Sequence, residues 1–272
     1  MLHIAYVDPF ERLGDKFVLQ GYLTSYPITY GASLYKSNAY FFLEASLLSQ
    51  FVALAIIIEL WLFRRFWALA LLFIALATTF SGTGVLLIAA VFPVLFVLKA
   101  RDIKTILLTV ILVMAVAGAI IMRPAVLDRV SEFGQRDTSA SARFIEPYKL
   151  MAHEALVSAP RFLTGYGAGS ADRMVASNDA LVNFSAVPKA VIEYGAIGGI
   201  TFLIALAFRI GMSGQPPPIV AALLVLHYFL SGALLQPISV FVLFYFIASG
   251  SQRKPRSRVW LRRRAVSTGD HE

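Results

Sequence analysis

The chain contains no cysteine and only four histidines in 272 residues. Without cysteine, neither disulfide bonds nor thiolate metal sites can form, although this absence says nothing about the redox compartment. The histidines lack the spacing of metal ligands, so a metal enzyme is not indicated. They are His3, His153, His227 and His271.

Charged residues are also scarce. They make up 15% of the chain and hydrophobic residues 58%, whereas soluble domains contain about 25% charged residues. Apolar blocks such as LLSQFVALAIIIELWLF and TILLTVILVMAVAGAII approach the roughly 20 residues that cross a bilayer as a helix. The sequence predicts an all-α integral membrane protein, a polytopic bundle of about seven transmembrane helices with one large, partly helical periplasmic loop.

The predicted spans are residues 41–63, 66–83, 84–98, 105–122, 190–208, 218–235 and 237–250. The last two are separated at Gln236-Pro237, because one helix over that whole run would be about 50 Å long and the hydrocarbon core is about 30 Å thick. Basic residues concentrate in the short connections that share one side, which the positive-inside rule assigns to the cytoplasm. The amino-terminal segment 1–40 and the loop 123–189 are then periplasmic, and the tail 251–272 is cytoplasmic.

The net charge of +8 does not indicate nucleic-acid binding, because seven basic residues lie in the tail directly after the last span. Such juxtamembrane clusters bind anionic membrane lipids. The first forty residues contain no signal-peptide apolar region, although the topology places them outside. We therefore expect the chain to be the carboxy-terminal part of a longer polytopic protein, or a shortened version of one.

The periplasmic loop contains the polar residues that can perform chemistry. Pro147 is typical of a first helical turn and predicts a helix from Tyr148 to Val157. Its face of Tyr148, Met151, Ala152 and Ala155 is suited to rest on the membrane helices. Gly165, Gly167 and Gly169 form a flexible run where backbone can approach a ligand closely.

Arginine suits an extracytoplasmic diphosphate site, because its planar guanidinium donates two parallel hydrogen bonds and stays charged. For any single loop arginine, pairing with a nearby carboxylate is the favoured explanation, and Arg143 in SARFIEPYKL is the favoured candidate for a ligand. The candidates are Arg123, Arg129, Arg136, Arg143, Arg161 and Arg173. The possible acidic partners are Asp128, Glu132, Asp137, Glu146 and Asp172.

Three carboxylates lie in or beside the spans, where an ionised group needs a partner or a function. Glu59 lies close to Arg64 and Arg65, which predicts an interfacial ion pair. Glu44 and Glu193 lie near outer helix ends, where each can either accept a proton from a sugar hydroxyl or pair with a loop arginine.

Two further features have structural interpretations. His227 is predicted to be a hydrogen-bonded core histidine rather than a proton relay, and His153, on the loop helix, is the better functional candidate of the two. The segment FSGTG, residues 80–84, predicts a tight outer turn whose small residues allow close helix packing.

The order of these parts resembles the superfamily of Wzy-type O-antigen and exopolysaccharide polymerases and O-antigen ligases. The resemblance is carried by FFLEASLLSQF, TTFSGTG, ARF, FLTGYGAGS and VPKAVIEYGAIGGITFLIAL. It implies a bacterial inner-membrane glycosyltransferase that transfers a growing glycan from undecaprenyl diphosphate to the next lipid-linked repeat unit. It requires no metal, nucleotide sugar or other cofactor, and a flippase and a chain-length regulator of the same pathway are possible partners.

By this resemblance, Arg143 and Arg161 would bind the diphosphate, and Glu193 or Glu44 would orient or deprotonate the acceptor hydroxyl. Further loop and acceptor contacts would come from Tyr148, His153, Gly165, Gly167 and Lys189.

The chain departs from the family pattern in three respects. The segment ASNDALVNFSAVPKA has no histidine, which favours a polymerase over a ligase. Gly82 replaces an arginine found in many members, and the predicted spans are fewer than usual. The alternatives are a ligase-type transferase, an inactive fragment, or a transporter component in which Glu44, Glu193 and His227 line an ion path.

Overall fold

The computed structural model describes residues 39, 42, 44–99, 139–176, 182–230 and 237–251, and the regular elements within these ranges are all helical. The predicted span 105–122, nearly all of the segment 1–40 and nearly all of the basic tail lie outside them. The helices are α1 (Ala45–Ile58), α2 (Phe66–Thr78), α3 (Gly82–Lys99), α4 (Ser139–Phe144), α5 (Glu146–Val157), α6 (Ala159–Thr164), α7 (Ser170–Ala176), α8 (Ala186–Gly211), α9 (Pro217–Val225) and α10 (Pro237–Ser251). Two π-helical turns, Glu59–Phe63 and Leu226–Leu230, continue α1 and α9.

The main core lies where α1, α3 and α9 pack together. Its fully buried side chains include Ile56, Leu87 and Leu223. A polar contact also joins α1 and α3 at the ends that are predicted to face outward, where Ser49 Oγ lies 2.9 Å from Thr83 Oγ1. A Cβ atom on Gly84 would lie only 2.4 Å from the Ser49 carbonyl oxygen, so the two backbones touch there. The prediction of close packing beside a tight turn is confirmed, and the turn itself occupies residues 79–81.

Two helical stretches, Ala45–Phe63 and Ala186–Gly211, are long and apolar enough to cross a membrane by length and composition. Phe66–Thr78, Gly82–Leu98, Pro217–Leu230 and Pro237–Gly250 are apolar but shorter. The two long stretches support a membrane location weakly, and the predicted count of seven spans is not confirmed. Residues 231–236, which include the predicted break at Gln236, lie outside the described part of the chain.

The predicted span over residues 190–208 falls within the long stretch Ala186–Gly211, but α8 is not one continuous straight helix, because it breaks at Gly195 (φ 74°, ψ 167°). A Cβ on Gly199 would lie 2.5 Å from the Ala190 carbonyl oxygen, whereas residues nine apart in a straight helix are separated by about 13 Å. The helix therefore folds back into a first arm, residues 186–194, and a second arm, residues 196–211. The first arm begins before residue 190, so it takes in the end of the predicted loop.

Candidate functional site

Arg143, at the end of α4, reaches the start of α1. Its Nη2 donates to Glu44 Oε2 at 2.9 Å and to Ser46 Oγ at 3.1 Å. Ser46 Oγ in turn donates to Glu44 Oε2 at 2.8 Å. These three side chains form a closed triangle, although Arg143 and Glu44 are 99 positions apart. The favoured loop arginine therefore pairs with a carboxylate at the amino-terminal end of α1 rather than with a loop carboxylate.

The triangle fixes Arg143 while using only part of its hydrogen-bonding capacity. Guanidinium carries five N–H donors, and both contacts with described residues use Nη2. Within the described ranges, Nε and Nη1 donate no hydrogen bond, and the Arg143 side chain is 19% exposed. A fixed, partly accessible guanidinium of this kind can bind an anionic oxygen.

Hydroxyl groups at the turn between α2 and α3 support the triangle. The Ser46 carbonyl oxygen accepts hydrogen bonds from Ser49 Oγ at 2.7 Å and from Thr83 Oγ1 at 3.0 Å. Ser81 Oγ lies 3.1 Å from Thr83 Oγ1. Gly82, where many members of the resembled family have arginine, is the first residue of α3 after this turn, and a Cβ there would meet nothing within 4 Å. Sequence reasoning missed Ser46, and the only signal was its place two residues after Glu44.

A second group of charges lies on the first arm of α8 and on α7. Lys189 Nζ lies 2.9 and 3.0 Å from the two carboxylate oxygens of Asp172 and 3.9 Å from Glu193 Oε1. The Glu193 side chain is only 2% exposed, and its Oε1 has no hydrogen-bond partner among the described residues. Buried polar atoms are nearly always hydrogen-bonded, so this oxygen is an exception within the described part of the chain.

Backbone contacts hold Glu193 in place. The break at Gly195 interrupts the helical hydrogen bonds, and the amides of Tyr166 and Gly167 donate instead to the carbonyl oxygens of Ile192 and Glu193, at 3.0 and 2.9 Å. A Cβ on Gly165 would lie 2.4 Å from the Glu193 carbonyl oxygen. The sequence predicted that a ligand would approach the backbone closely at Gly165. In the structure α8 occupies that position, because the hydrogen bonds between residues 166–167 and 192–193 bring the two backbone segments into contact.

The loop helix α5 is confirmed at Glu146–Val157, with Pro147 in its first turn. Tyr148 OH lies 3.3 Å from Ser185 Oγ, and Met151 packs beside a small core of Ala171, Phe184 and Ile192. The packing face predicted for this helix is wrong at Ala152, whose side chain is exposed. The reason is that α5 packs on α7 and the first arm of α8, which form a separate small core with it.

Arg161 and His153 belong to a third cluster. The guanidinium carbon of Arg161 lies 5.7 Å from the centre of the Tyr166 ring. Tyr166 OH donates to Glu154 Oε2, and this hydrogen bond, followed by burial, raises the pKa of Tyr166. His153 is 66% exposed and its Nδ1 lies 3.7 Å from Glu154 Oε1. The two predicted diphosphate ligands, Arg143 and Arg161, therefore make contacts in different clusters.

The other predicted residues have structural roles. Glu59 accepts hydrogen bonds from Arg65 Nε at 3.0 Å and Nη2 at 2.8 Å, which confirms the predicted pairing of Glu59 with the basic residues that follow it. His227 is fully buried, with Nδ1 2.8 Å from the Leu223 carbonyl oxygen and Nε2 3.2 Å from that of Ser239. It is the hydrogen-bonded core histidine that was predicted. The candidates Arg123, Arg129 and Arg136, with the acidic residues Asp128, Glu132 and Asp137, lie outside the described residues.

Comparison with known proteins gives no assignment. No family model, no curated protein and no solved structure matches the chain. The functional argument therefore depends on the geometry of its own residues and on the resemblance in the order of its parts.

Proposed function

We propose that the chain is a metal-independent membrane glycosyltransferase. It joins undecaprenyl-diphosphate-linked repeat units at the periplasmic face of the bacterial inner membrane, as a polymerase of exopolysaccharide, capsule or O-antigen. The observation that supports this best is the triangle of Arg143, Glu44 and Ser46, which fixes a loop guanidinium against the outer end of α1. That location suits a diphosphate held by a lipid in the outer leaflet.

Arg143 acts on the leaving group in this proposal. The acceptor hydroxyl attacks the anomeric carbon of the donor sugar, a new carbon–oxygen bond forms, and the bond from that carbon to the diphosphate oxygen breaks. Negative charge grows on the departing diphosphate. A guanidinium already fixed by Glu44 and Ser46 stabilises this charge without reorganising during the reaction.

Glu193 is the general base in this proposal, and Glu44 positions Arg143. Glu44 Oε2 already accepts two hydrogen bonds, from Arg143 and from Ser46. Glu193 Oε1, in contrast, is buried without a hydrogen-bond partner within the described ranges. It is the carboxylate oxygen with capacity left to accept the proton of an acceptor hydroxyl.

The exposed surface supports a lipid environment. Large apolar side chains are exposed on several helices, among them Trp67 at 79%, Ile197 at 66% and Phe241 at 70%. Lipid tails are as apolar as these side chains, so their exposure is favourable in a bilayer. We place these side chains against lipid, the loop in the periplasm and the basic tail at the cytoplasmic surface, where anionic lipids attract it.

The absence of native cysteine makes this topology testable with single cysteines. His153→Cys places a thiol at an exposed position of the loop, and Ser267→Cys places one in the tail. We expect a membrane-impermeant maleimide to label the first variant in spheroplasts and the second only after the membrane is permeabilised. The opposite pattern would overturn the orientation.

The function itself is tested by complementing a strain that lacks the gene, with all variants produced at equal membrane levels. We expect wild-type protein to restore long polymer and Arg143→Ala to leave single repeat units. Arg173→Ala is the matched control, since Arg173 is an exposed arginine that donates a long hydrogen bond, 3.5 Å, to the Ala168 carbonyl oxygen. Failure of wild type to restore polymer, or normal polymer from Arg143→Ala, would contradict the proposal.

A further inference from the structure

The α5–α6 corner, residues 156–163, exposes apolar side chains within a polar loop. Leu156 is 88% exposed and Val157 is 67% exposed at the end of α5, and Leu163 on α6 is 47% exposed. Two further apolar residues of the corner are also exposed, Ala159 and Pro160. Single apolar side chains on a surface need no explanation, whereas a cluster of them beside polar groups marks an interaction site.

The exposed side of α5 changes from polar to apolar along the helix. Lys149 is 60% exposed near its beginning and His153 is 66% exposed in its middle, whereas Leu156 and Val157 are the exposed residues at its end. Residues 149 and 156 are seven positions apart, so they lie on nearly the same side and about 10 Å apart along the axis. This gradient suits a helix that begins in water and ends in an apolar phase.

The α5–α6 corner adjoins the apolar surface of the second arm of α8. A Cβ on Gly195 would lie 2.2 Å from the Leu163 carbonyl oxygen, so α6 lies against the point where the second arm begins. From there the arm exposes Ile197 at 66%, Ile200 at 48% and Ile204 at 64%, in a stretch that is long and apolar enough to cross a membrane. The corner is therefore next to a surface that the proposed function places against lipid.

A cation and two tyrosines accompany these apolar groups. The guanidinium carbon of Arg161, within the corner, lies 5.7 Å from the centre of the Tyr166 ring, and Tyr194, beside the break in α8, is 52% exposed. The nearby carboxylate of Glu154 is engaged, because it accepts a hydrogen bond from Tyr166 OH. Tyrosine is enriched at membrane interfaces, and the arginine fork complements a lipid phosphate.

We propose that the α5–α6 corner inserts into the leaflet that faces the loop, with Leu156, Val157 and Leu163 among the lipid chains and Arg161 at the level of the lipid phosphates. The partner is the lipid surface itself. Interfacial elements of this kind bury their apolar side chains about 5–10 Å deep. The inference rests on the membrane location in the proposed function and not on its reaction. It fixes the depth of α6 and, through the contact at Gly195, the depth of the break in α8.

The test measures depth at single positions in the full chain, which has no native cysteine. Leu156→Cys and Leu163→Cys are labelled with bimane and placed in nanodiscs of phosphatidylethanolamine and phosphatidylglycerol. Spin labels on the lipid chains quench bimane within the bilayer, and iodide quenches it from water. We expect the lipid quencher to remove most of the fluorescence at both positions and iodide to remove little. Lys149→Cys, on the same side of α5, is the matched control and should show the opposite pattern.

Ile197→Cys, on the second arm of α8, separates this inference from the membrane location on which it rests. Quenching by iodide at Leu156 or Leu163, with quenching by lipid at Ile197, would overturn the inference and leave the membrane location intact. Protection from both quenchers at either corner position would mean that a second copy or another segment of the chain covers it, and would also overturn the inference. Equal lipid quenching at Lys149 and Leu156 would do the same, because the labels themselves would then be drawn into lipid. Lipid quenching at both corner positions but not at Lys149 supports the inference whether or not the protein makes polymer.

Discussion

In the polymerase that we propose, Gly195→Ala is expected to abolish polymer formation and to lower the melting temperature of the protein. Gly195 has φ 74° and ψ 167°, a backbone conformation that is essentially open to glycine alone, and strain of this kind costs about 1–3 kcal/mol. The added Cβ would also lie 2.2 Å from the Leu163 carbonyl oxygen and 2.6 Å from the Gly165 nitrogen. These are backbone atoms, so no side chain can rotate to make room.

The loss of activity would follow from the loss of this contact. The segment after α6 would have to separate from α8, and with it the amides of Tyr166 and Gly167 that bind the carbonyl oxygens of Ile192 and Glu193. Glu193 would no longer be held in its buried position. Gly165→Ala introduces the same overlap from the opposite side, with a Cβ 2.4 Å from the Glu193 carbonyl oxygen, so the two substitutions together should cost less than the sum of their separate effects.

Gly198→Ala is the matched control, because it makes the same substitution three residues along the same helix. Its Cβ would meet Tyr194 Cβ at 3.5 Å, which is an ordinary van der Waals contact. Melting temperature in detergent and glycan length in complemented cells are measured for all three alanine variants. Equal behaviour of Gly195→Ala and Gly198→Ala would show that the contact between the loop and α8 is dispensable.

The sequence predicts those features that depend on neighbouring residues. Pro147 indicated the first turn of α5, and the small residues of FSGTG indicated a turn with close helix packing. The two arginines that follow Glu59 indicated the partner of its ion pair. Each of these signals lies within a few positions of the structure that it specifies, so local stereochemistry and charge are enough to read it.

The break in α8 could not be read in this way. Glycine is common in membrane helices, so the glycines of IEYGAIGG are compatible with a straight span. What distinguishes Gly195 is that Leu163 and Gly165, about thirty positions earlier in a different helix and linker, pack directly against it. A contact between such distant segments leaves no local periodicity.

The pairing of Arg143 with Glu44 was also beyond local reasoning, because it joins segments 99 positions apart. The sequence left Glu44 with two roles, a base or a partner of a loop arginine, and left Glu193 with the same two. The structure shows a hydrogen-bonded arginine partner for Glu44 and, within the described residues, only the looser contact of Lys189 Nζ at 3.9 Å for Glu193. This asymmetry, which depends on burial and distance, separates two carboxylates that were equivalent in the sequence.

The asymmetry predicts that Glu193→Gln and Glu44→Gln differ sharply in activity. Removing a general base lowers the rate by about 10²- to 10⁴-fold, and this is the loss expected for Glu193→Gln. Glu44→Gln should cost about tenfold, the equivalent of about 1.4 kcal/mol. The glutamine oxygen can still accept from Arg143 and Ser46, but the hydrogen bond to Arg143 loses the charge on its acceptor.

Measurements of kcat and KM distinguish the proposed role of Glu193 from that of Glu44. With a lipid-diphosphate-linked repeat unit as substrate, Glu193→Gln should lower kcat with little change in KM, since it removes a group that acts on the reacting proton. Glu44→Ala, which removes the acceptor for Arg143 altogether, should be worse than Glu44→Gln, whereas a base at Glu44 would make these two variants equally inactive. Near-normal turnover in Glu193→Gln together with loss of activity in Glu44→Gln would exchange the two roles. The buried oxygen of Glu193 would then need a structural explanation.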